Sequence, residues 1–518
     1  MKILGVTQGA GLTVYLRLVE MLAREFPTFE GAAYVSDSLA YRSIEPREPS
    51  LRDGRLKLLF EWDITSASKH TEPDWDYLRE QEQSLGDPVL WNVLLADRRI
   101  FFGRACKFRQ DYRPRFDHEQ MGAILTVALR QIQAFVDDFR PDVVIGFGTA
   151  TFGDYLLYRI AKVRGIPYLL LKSTKIGNYV SLNDDAVALS AHIKDVLDGR
   201  QHLDPTTLDE ARRHIRSIRE RGVRYEGALK SAAKVRFVSG ARGLAAGLVR
   251  ELKTALDPVV RSDNHVDSTL AHAWHANFRQ PLSAAFIRYR LRGAMLQVKD
   301  LETVAGYAFF PLHFEPEVSI QVFGRPFQNQ IELVRNLALA LPAGMLLVVK
   351  EHPRSVGFRP LGYYRKLLDI PNVRLVDPQI PTHVVTRGSS LVAVISGSTG
   401  LEAAICGKPV LVFGTPTYNA LSDRMICRVS NLHSLGSDIR DLLSRYASDE
   451  TNLEEFVGAH IQGSVPIDLY SVLLRKQGRV NEGRTTMSEE EKRRTDYDQL
   501  SRYVVTRISD VAGSKTSD

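Results

Sequence analysis

Three polar clusters in the second half of the sequence carry residue types that bind phosphate or move protons. They run from His313 to Arg325, from Lys350 to Arg354 and from Ser396 to Glu402. Each follows a short apolar run that is typical of a buried strand. Open α/β sheets bind ligands just beyond the carboxyl ends of their strands. We therefore expect the three clusters to meet at one edge of one sheet.

The cluster from Ser396 to Glu402 predicts a phosphate site. The sequence SGSTG links an apolar strand to a short helix, so hydroxyls and backbone amides can donate to an anion while the glycines let it approach the backbone. Glu402 in the first helical turn either caps the helix or accepts a hydrogen bond from a sugar hydroxyl. A tight strand–helix turn with a capping acid explains the same residues, because short glycine motifs are weakly specific.

The other two clusters add charged groups to the same predicted edge. Lys350, His352 and Arg354 provide donors for a phosphate. Pro353 restricts His352 to an extended geometry, although a buried or capping histidine is the alternative. In the earlier cluster, Glu315 and Glu317 would point the same way on an extended segment. The proline between them interrupts that geometry, so we expect at most one of the two to face a ligand.

Length and composition limit the classes of protein that remain. A chain of 518 residues exceeds one hydrophobic core, so two or three domains are expected. The net charge of +7 favours an acidic partner, while sparse aromatic residues in the basic stretches and the absence of a known motif argue against nucleic acid. Three cysteines without metal-like spacing fit a reducing cytoplasm. No apolar run reaches the ~20 residues of a membrane span, and the first residues do not resemble a signal peptide.

Alternating strand and helix patterns predict a mixed α/β fold with two doubly wound, Rossmann-like domains and a basic helical insertion. We predict an N-terminal α/β, acceptor-binding domain at 1–200, a basic helical region at 201–302, a nucleotide-sugar-binding α/β domain at 303–450 and a helical tail at 451–518 that packs on the N-terminal domain. The arginines of the basic region, and a second basic patch at 98–115, are either solvated or face an acidic partner or membrane.

The motifs FFPLHFEPEVS, KEHP and SGSTGLEAAICGKPVLVFG, at 309–319, 350–353 and 396–414, resemble those of GT-B glycosyltransferases of capsule polysaccharide biosynthesis. That group includes Kdo transferases and shares a His-Pro and a serine motif with bacterial sialyltransferases. The resemblance covers about a quarter of the chain, and the N-terminal half matches only the architecture.

The resemblance implies a donor site and leaves the catalytic base open. It implies that His352 and the loop residues Ser396, Gly397, Ser398 and Thr399 bind the donor phosphate, and that Glu402 binds the nucleotide ribose. We predict Arg325 and Lys350 as further donor-binding residues. The acidic tripeptide that supplies the base in sialyltransferases does not occur before residue 200. We therefore predict Glu315 and His313 as the catalytic residues.

The expected function is transfer of a sugar from a nucleotide-activated donor, CMP-Kdo-like or another nucleoside diphosphate sugar, to a surface-polysaccharide or lipid-linked glycan. The resemblance implies metal-independent chemistry with no cofactor beyond the donor substrate, and a cytoplasmic location that is either free or peripheral on the anionic inner membrane. Alternatives on the same scaffold are a polyol-phosphate transferase, a UDP-GlcNAc 2-epimerase-like enzyme and a non-catalytic scaffold for polysaccharide export. The motifs do not specify the sugar, base, acceptor, linkage or oligomeric state.

Overall fold

The computed structural model describes residues 1–86, 90–97, 100, 116–222, 225–227, 249, 252, 256, 279–304, 306–315, 317–353, 355–476, 479 and 487–514. The predicted basic patch at 98–115 and most of the basic stretch between 228 and 278 lie outside these residues, except for isolated positions. Arg354 and Pro316 lie outside them as well.

Strands and helices alternate through the first body. Its strands are β1 (Lys2–Thr7), β2 (Glu30–Val35), β3 (Leu56–Phe60), β4 (Val143–Gly146), β5 (Tyr168–Ser173) and β6 (Tyr179–Asn183). Its helices are α1 (Gly11–Glu25), α2 (Ser38–Ile44), α3 (Glu61–Ala67), α4 (Trp75–Ser84), α5 (Trp91–Ala96), α6 (His118–Phe139), α7 (Phe152–Val163) and α8 (Ala191–Leu197).

A basic connector leads into the second body. The connector contains α9 (Pro205–Arg221) and α10 (Gln280–Leu291). The strands that follow are β7 (Met295–Leu296), β8 (Tyr307–Pro311), β9 (Leu346–Lys350), β10 (Val373–Val376), β11 (Leu391–Val394), β12 (Val410–Val412) and β13 (Ile426–Arg428). The helices are α11 (Val298–Thr303), α12 (Val318–Gln321), α13 (Gln330–Ala340), α14 (Leu361–Leu368), α15 (Thr382–Gly388), α16 (Thr399–Ile405) and α17 (Leu435–Arg445). The C-terminal segment holds α18 (Glu450–Gln462), β14 (Ser464–Pro466) and α19 (Glu489–Ser514).

Each body is built on a seven-stranded sheet. The first sheet has the order β14-β6-β5-β4-β1-β2-β3, in which β6 and β14 are antiparallel to their neighbours. The second has the order β13-β12-β11-β8-β9-β10-β7 and is parallel throughout. Apolar strands with both faces covered by helices account for the parallel pairing. The predicted fold class of two Rossmann-like, GT-B-like bodies is confirmed.

The basic helix α9 joins the two bodies through its apolar stripe. Ala211, Ile215 and Ile218 are buried in one cluster with side chains of the second body and of α18. On the polar side, Arg219 donates to the Ile405 carbonyl at 2.7 Å. The guanidinium of Arg219 also pairs with Glu450 at 2.8 Å, and that of Arg212 pairs with Glu454 at 2.9 Å. These two arginines therefore have protein partners, while both side chains remain partly exposed.

The C-terminal segment returns to the first body. The strand β14 pairs with β6 through Val465 opposite Val180. Leu500, Val504 and Ile508 of α19 are buried in the same cluster as the α1 side chains. Within the described part of the chain, no helix combines the length and the apolar character that crossing a bilayer requires.

Candidate functional site

The three predicted polar clusters follow three adjacent strands. The strand β8 lies between β11 and β9, so the loops after Pro311, Lys350 and Val394 are neighbours. The chain runs outward from β8 through β9 and β10, then crosses to β11 on the other side. The boundary between β8 and β11 is therefore a topological switch point, where open α/β sheets form a crevice for ligands.

His313 connects the two sides of this crevice. Its Nε2 atom accepts hydrogen bonds from the Gly397 amide at 3.1 Å and from the Ser396 amide at 3.3 Å. Gly397 is required here because a Cβ atom at this position would lie 3.0 Å from the same nitrogen. The carbonyl of Gly397 accepts from the Tyr418 hydroxyl at 2.6 Å. The loop is thus fixed from both sides.

His313 is neutral in this arrangement. Its side chain is buried, and burial together with the nearby Arg359 guanidinium lowers the pKa of His313 to about 4. A neutral ring leaves Nε2 free of a proton and able to accept from the two amides. The geometry therefore favours a positioning role for His313 over the catalytic role that the sequence predicted.

A fully buried ion pair supports the floor of the site. The Arg359 guanidinium lies 2.5 Å from the Glu351 carboxylate, and both side chains are almost completely excluded from solvent. Glu351 also accepts from the Tyr364 hydroxyl at 2.9 Å and from the His352 amide at 2.7 Å. The Nη2 atom of Arg359 donates to the His313 carbonyl at 2.6 Å. One ion pair therefore fixes the backbone at two of the three strand ends.

Glu315 lies beside this pair. Its carboxylate accepts from the Gln330 amide nitrogen and lies 3.5 Å from the Arg359 guanidinium. Gln330 also bonds the amide and carbonyl of His313 at 2.7 and 3.1 Å. Burial raises the pKa of Glu315, although Arg359 and Gln330 act in the opposite direction. A positioned carboxyl whose pKa is raised holds a proton more readily than a free one, so it can take part in proton transfer.

His352 occupies the exit of β9 next to His313. It is half-buried, and its ring packs edge-on against Phe314 with 6.2 Å between centroids. Phe314 in turn contacts Phe358 in the same geometry at 6.0 Å. His352 acts electrostatically on His313, where it contributes to the lowered pKa. The two histidines of the predicted site are therefore close together, and His352 is the more exposed.

The loop after β11 retains donors for a ligand. The Ser396 hydroxyl donates to the Ser319 carbonyl, and the Ser398 hydroxyl bonds Glu402. In the described part of the chain, no protein acceptor is assigned to the backbone amides of Ser398 and Thr399. Burial raises the pKa of Glu402 to about 7. A half-buried carboxyl of this kind can accept a hydrogen bond from a hydroxyl group or donate one when protonated.

Two predicted donor-binding residues point away from this cluster. The Lys350 ammonium is buried and donates to the Pro378 carbonyl at 3.2 Å, beyond the end of β10. Burial lowers the pKa of Lys350 to about 8. The Arg325 guanidinium donates to the Asn92 carbonyl of the first body at 3.1 Å and to Gln321 at 3.1 Å. Arg325 therefore links the two bodies in this structure.

Sequence reasoning missed the residues that hold the site in place. Arg359, Gln330 and Tyr418 lie far along the chain from the backbone groups that they bind, and no local periodicity marks them. Glu351 was part of a recognised motif, but only its buried partner shows that it is structural. No cluster of three or more histidine, cysteine or acidic side chains suited to a metal ion occurs among the described residues.

Comparison with known proteins identifies a family over the same part of the chain. Residues 271–422 match the family described as "Capsule polysaccharide biosynthesis protein". Protein FixF of Sinorhizobium fredii is 24% identical over 135 residues, which are 25% of this chain and 31% of FixF. The match therefore spans about a third of the length of that relative. The family resemblance predicted from the motifs is confirmed.

Solved structures with a similar fold share little sequence with this chain. The Thermosulfurimonas dismutans KpsC β-Kdo 2,7 transferase is 13% identical, with a TM-score of 0.35 over 73% of this chain and 89% of that chain. The Neisseria meningitidis UDP-GlcNAc 2-epimerase is 14% identical, with a TM-score of 0.26 over 88% and 94%. At these scores neither likeness bears on substrate or mechanism.

Proposed function

Since residues 271–422 belong with the capsule polysaccharide biosynthesis proteins, we propose that this protein is a glycosyltransferase that uses a nucleotide-activated sugar. The proposal is carried by one observation. The polar loops that follow β8, β9 and β11 lie together at one topological switch point of the second body. The acceptor is a surface-polysaccharide or lipid-linked glycan, bound between this edge and the first body.

In this proposal the donor phosphate lies between His352 and the loop at 396–399. The amides of Ser398 and Thr399 and the His352 ring donate to it, and His313 keeps the loop in place. Pre-positioned donors stabilise the negative charge that develops on the leaving nucleotide without reorganising during the reaction. Glu402 accepts from a ribose hydroxyl. No metal is needed for this step, because protein donors replace it.

Glu315 is the proposed catalytic carboxyl. It lies at the exit of β8, next to the His313 that holds the donor loop, and its pKa is raised by burial. A carboxyl with a raised pKa is a stronger base than a free carboxylate, so it can take the proton of an acceptor hydroxyl. Approach of the two bodies around the substrates would exclude water, so that transfer competes with hydrolysis.

A nucleotide panel tests the proposal and separates it from the alternatives. Thermal stability is measured with CMP, CDP, UDP and GDP, and product formation is measured with and without an acceptor glycan. Stabilisation by one nucleotide with acceptor-dependent sugar transfer is expected. Transfer of a polyol phosphate from a CDP-polyol, or epimerisation of UDP-GlcNAc without acceptor, would replace the proposal by the corresponding enzyme. If no nucleotide binds, the scaffold alternative gains.

Substitution of His352 tests the donor site directly. His352→Ala should lower turnover by roughly 100-fold or more, because loss of one such donor typically costs about 2.7–4 kcal/mol of barrier. His433→Ala, at an exposed histidine of the same body, is the matched control. Near wild-type transfer by the His352 variant would refute the donor-site assignment.

We also propose that α10 contacts an anionic membrane surface. Leu282, Phe286 and Tyr289 recur at helical spacing and are 62%, 53% and 78% exposed. Arg288 and Arg290 are exposed on the same helix, so apolar contact and charge attraction can act together. Phe286→Ser should reduce co-sedimentation with vesicles that contain phosphatidylglycerol, whereas Leu339→Ser, at an exposed leucine of α13, should not. Equal binding by both variants would reject this surface.

A further inference from the structure

Two lysines of the first body lie where it meets the second body and the C-terminal segment. Lys172 and Lys175 lie at the end of β5 and in the turn that follows it. The Lys172 ammonium is 4.7 Å from the centre of the Phe323 ring, which belongs to the second body. The Lys175 ammonium is 4.9 Å from the Tyr225 ring and 5.8 Å from the Tyr470 ring. Both lysines are only partly exposed.

The turn that presents Lys175 is locally constrained. Lys175 adopts the left-handed conformation with φ of 67°, which is uncommon for a residue with a side chain. Its amide donates to the Ser173 hydroxyl at 3.3 Å, and the Thr174 hydroxyl bonds the Tyr179 carbonyl at 2.9 Å. Strained backbone that is retained by its surroundings concentrates at functional sites. The fold thus fixes the direction of this lysine.

Neither lysine forms an ion pair within 4.0 Å in the part of the chain that the structure describes. The acidic side chains that attract these lysines electrostatically have other partners. Asp185 pairs with Lys162 at 2.7 Å. Glu317 exerts only a longer-range attraction on Lys175 and accepts from the Ser319 hydroxyl. A partly buried cation without a counter-ion is costly, as the lowered pKa of Lys172 indicates, so an external anion would compensate it.

Further cations raise the positive potential at the same place. Lys476 and Arg479 lie 5.1 and 5.7 Å from the centre of the Tyr470 ring, on which Lys175 also packs. The nearby carboxylates have partners of their own. Glu226 accepts from the amides of Tyr470 and Ser471 at 3.1 and 2.7 Å, and Asp468 pairs with Lys492 at 3.4 Å. In addition, burial and Lys175 lower the pKa of Lys172 to about 8. These acids are therefore engaged within the protein and form no ion pair with Lys172 or Lys175 among the described residues.

A single segment of the second body lies between these lysines and the proposed donor loop. The carbonyl of Phe323 accepts from the Thr415 amide at 2.8 Å, and that of Ser319 accepts from the Ser396 hydroxyl. The segment 317–323 therefore separates the lysines from the loop after β11.

We propose that Lys172 and Lys175 form a subsite for the carboxylate of an acidic sugar, with Tyr225 and Tyr470 as the adjoining ring surfaces. The inference rests on the proposed function, because it places the subsite in the substrate cleft of a sugar-transferring enzyme. The carboxylate can belong to the acceptor glycan or to the transferred sugar. In both cases the lysines select an anionic over a neutral sugar, since a charge-assisted hydrogen bond is about twice as strong as a neutral one.

Two pairs of probes test the subsite by isothermal titration. Tetragalacturonate is compared with maltotetraose for the acceptor source, and UDP-glucuronate with UDP-glucose for the donor source. Tighter binding of the anionic member is expected in at least one pair. Lys172→Met and Lys175→Met should each lower the affinity for that anionic probe about tenfold. The affinity for the neutral probe should change less than twofold. The pair that responds identifies the source of the carboxylate.

Control variants separate this inference from the proposed function. Lys172→Arg, which retains the charge, should preserve the preference, and Lys194→Met, at an exposed lysine of α8, should not affect it. Nucleotide stabilisation of the second body should be unchanged in every lysine variant. If nucleotides bind but the anionic probes show no lysine-dependent preference, the subsite is refuted and the proposed function stands. If the preference is present but no nucleotide binds, the proposed function fails while the anion subsite is supported.

Discussion

Buried cationic side chains have different kinds of partner in the two bodies. Arg359 of the second body is 1% exposed and reaches the Glu351 carboxylate and the His313 carbonyl. Lys172 and Lys175 of the first body are partly buried, and among the described residues their ammonium groups pack on aromatic rings and form no ion pair. A charge that is completely paired inside the protein stabilises a particular backbone arrangement. A charge that the fold leaves without a counter-ion is available to a ligand.

In how completely its charge is paired, the Glu402 carboxyl lies between Arg359 and the two lysines. Its carboxyl is half-buried and has one hydroxyl partner, Ser398, so burial raises its pKa to about 7. The three cases give three expected effects on stability, and their order follows from how completely each charge is paired.

The largest effect is expected at Arg359. Arg359→Met removes one partner of a buried pair and leaves Glu351 charged and uncompensated, which should cost ~3–5 kcal/mol of unfolding free energy. Denaturant unfolding of the apo protein measures this. The double variant Arg359→Met/Glu351→Met should recover part of the loss. Arg335→Met, which breaks an exposed pair with Glu332, is the control and should cost under ~1 kcal/mol. Equal losses at Arg359 and Arg335 would contradict the structural role of the buried pair.

An intermediate and pH-dependent effect is expected at Glu402. The folded pKa of about 7 lies above the unfolded value of 4.5, so the folded state binds more protons in this window and loses stability as the pH rises through it. Glu402→Gln should therefore be more stable than wild type by ~1–2 kcal/mol at pH 8, with a difference that vanishes below about pH 4.5. Melting temperatures across this range test the sign. A pH-independent difference would show that the carboxyl is not buried as described.

The smallest effect, of opposite sign to that at Arg359, is expected at Lys172. The folded pKa of about 8 lies below the unfolded value of 10.5, so the charged form is penalised in the folded protein below about pH 8. Lys172→Met should stabilise the apo protein by ~1 kcal/mol at pH 7. This is less than the pKa shift alone would give at ~1.4 kcal/mol per unit, because the variant also loses the contact of the ammonium with the Phe323 ring. The gain should disappear as the pH approaches 10.5. Thermal unfolding with and without tetragalacturonate measures both. Destabilisation of the apo protein at pH 7 would mean that Lys172 has a structural partner.

The sequence predicted the candidate ligand-binding edge of the second body better than the rest of the chain. Short apolar runs ending in polar loops identified β8, β9 and β11, and the parallel pairing placed their exits together. Strands without that pattern were missed. No strand was predicted where β3 and β6 lie, and the two-residue β7 falls in a region that was predicted to be helical.

The contacts inside the site depend on tertiary structure. Neither the Arg359–Glu351 pair nor the hydrogen bonds of Gln330 to His313 follow from local spacing. For the same reason Lys350, which was predicted to bind the donor, instead bonds Pro378 on a neighbouring strand exit. Residue type and strand position could locate the site, while the direction of each long polar side chain required its distant partners.

The most direct test of the central claim is a crystal structure of the protein with the nucleotide that stabilises it. The account predicts that the phosphate lies within hydrogen-bonding distance of His352 and of the Ser398 and Thr399 amides, while His313 still accepts from Gly397. A nucleotide bound in the first body, or at a site without contact to the loop at 396–399, would contradict it.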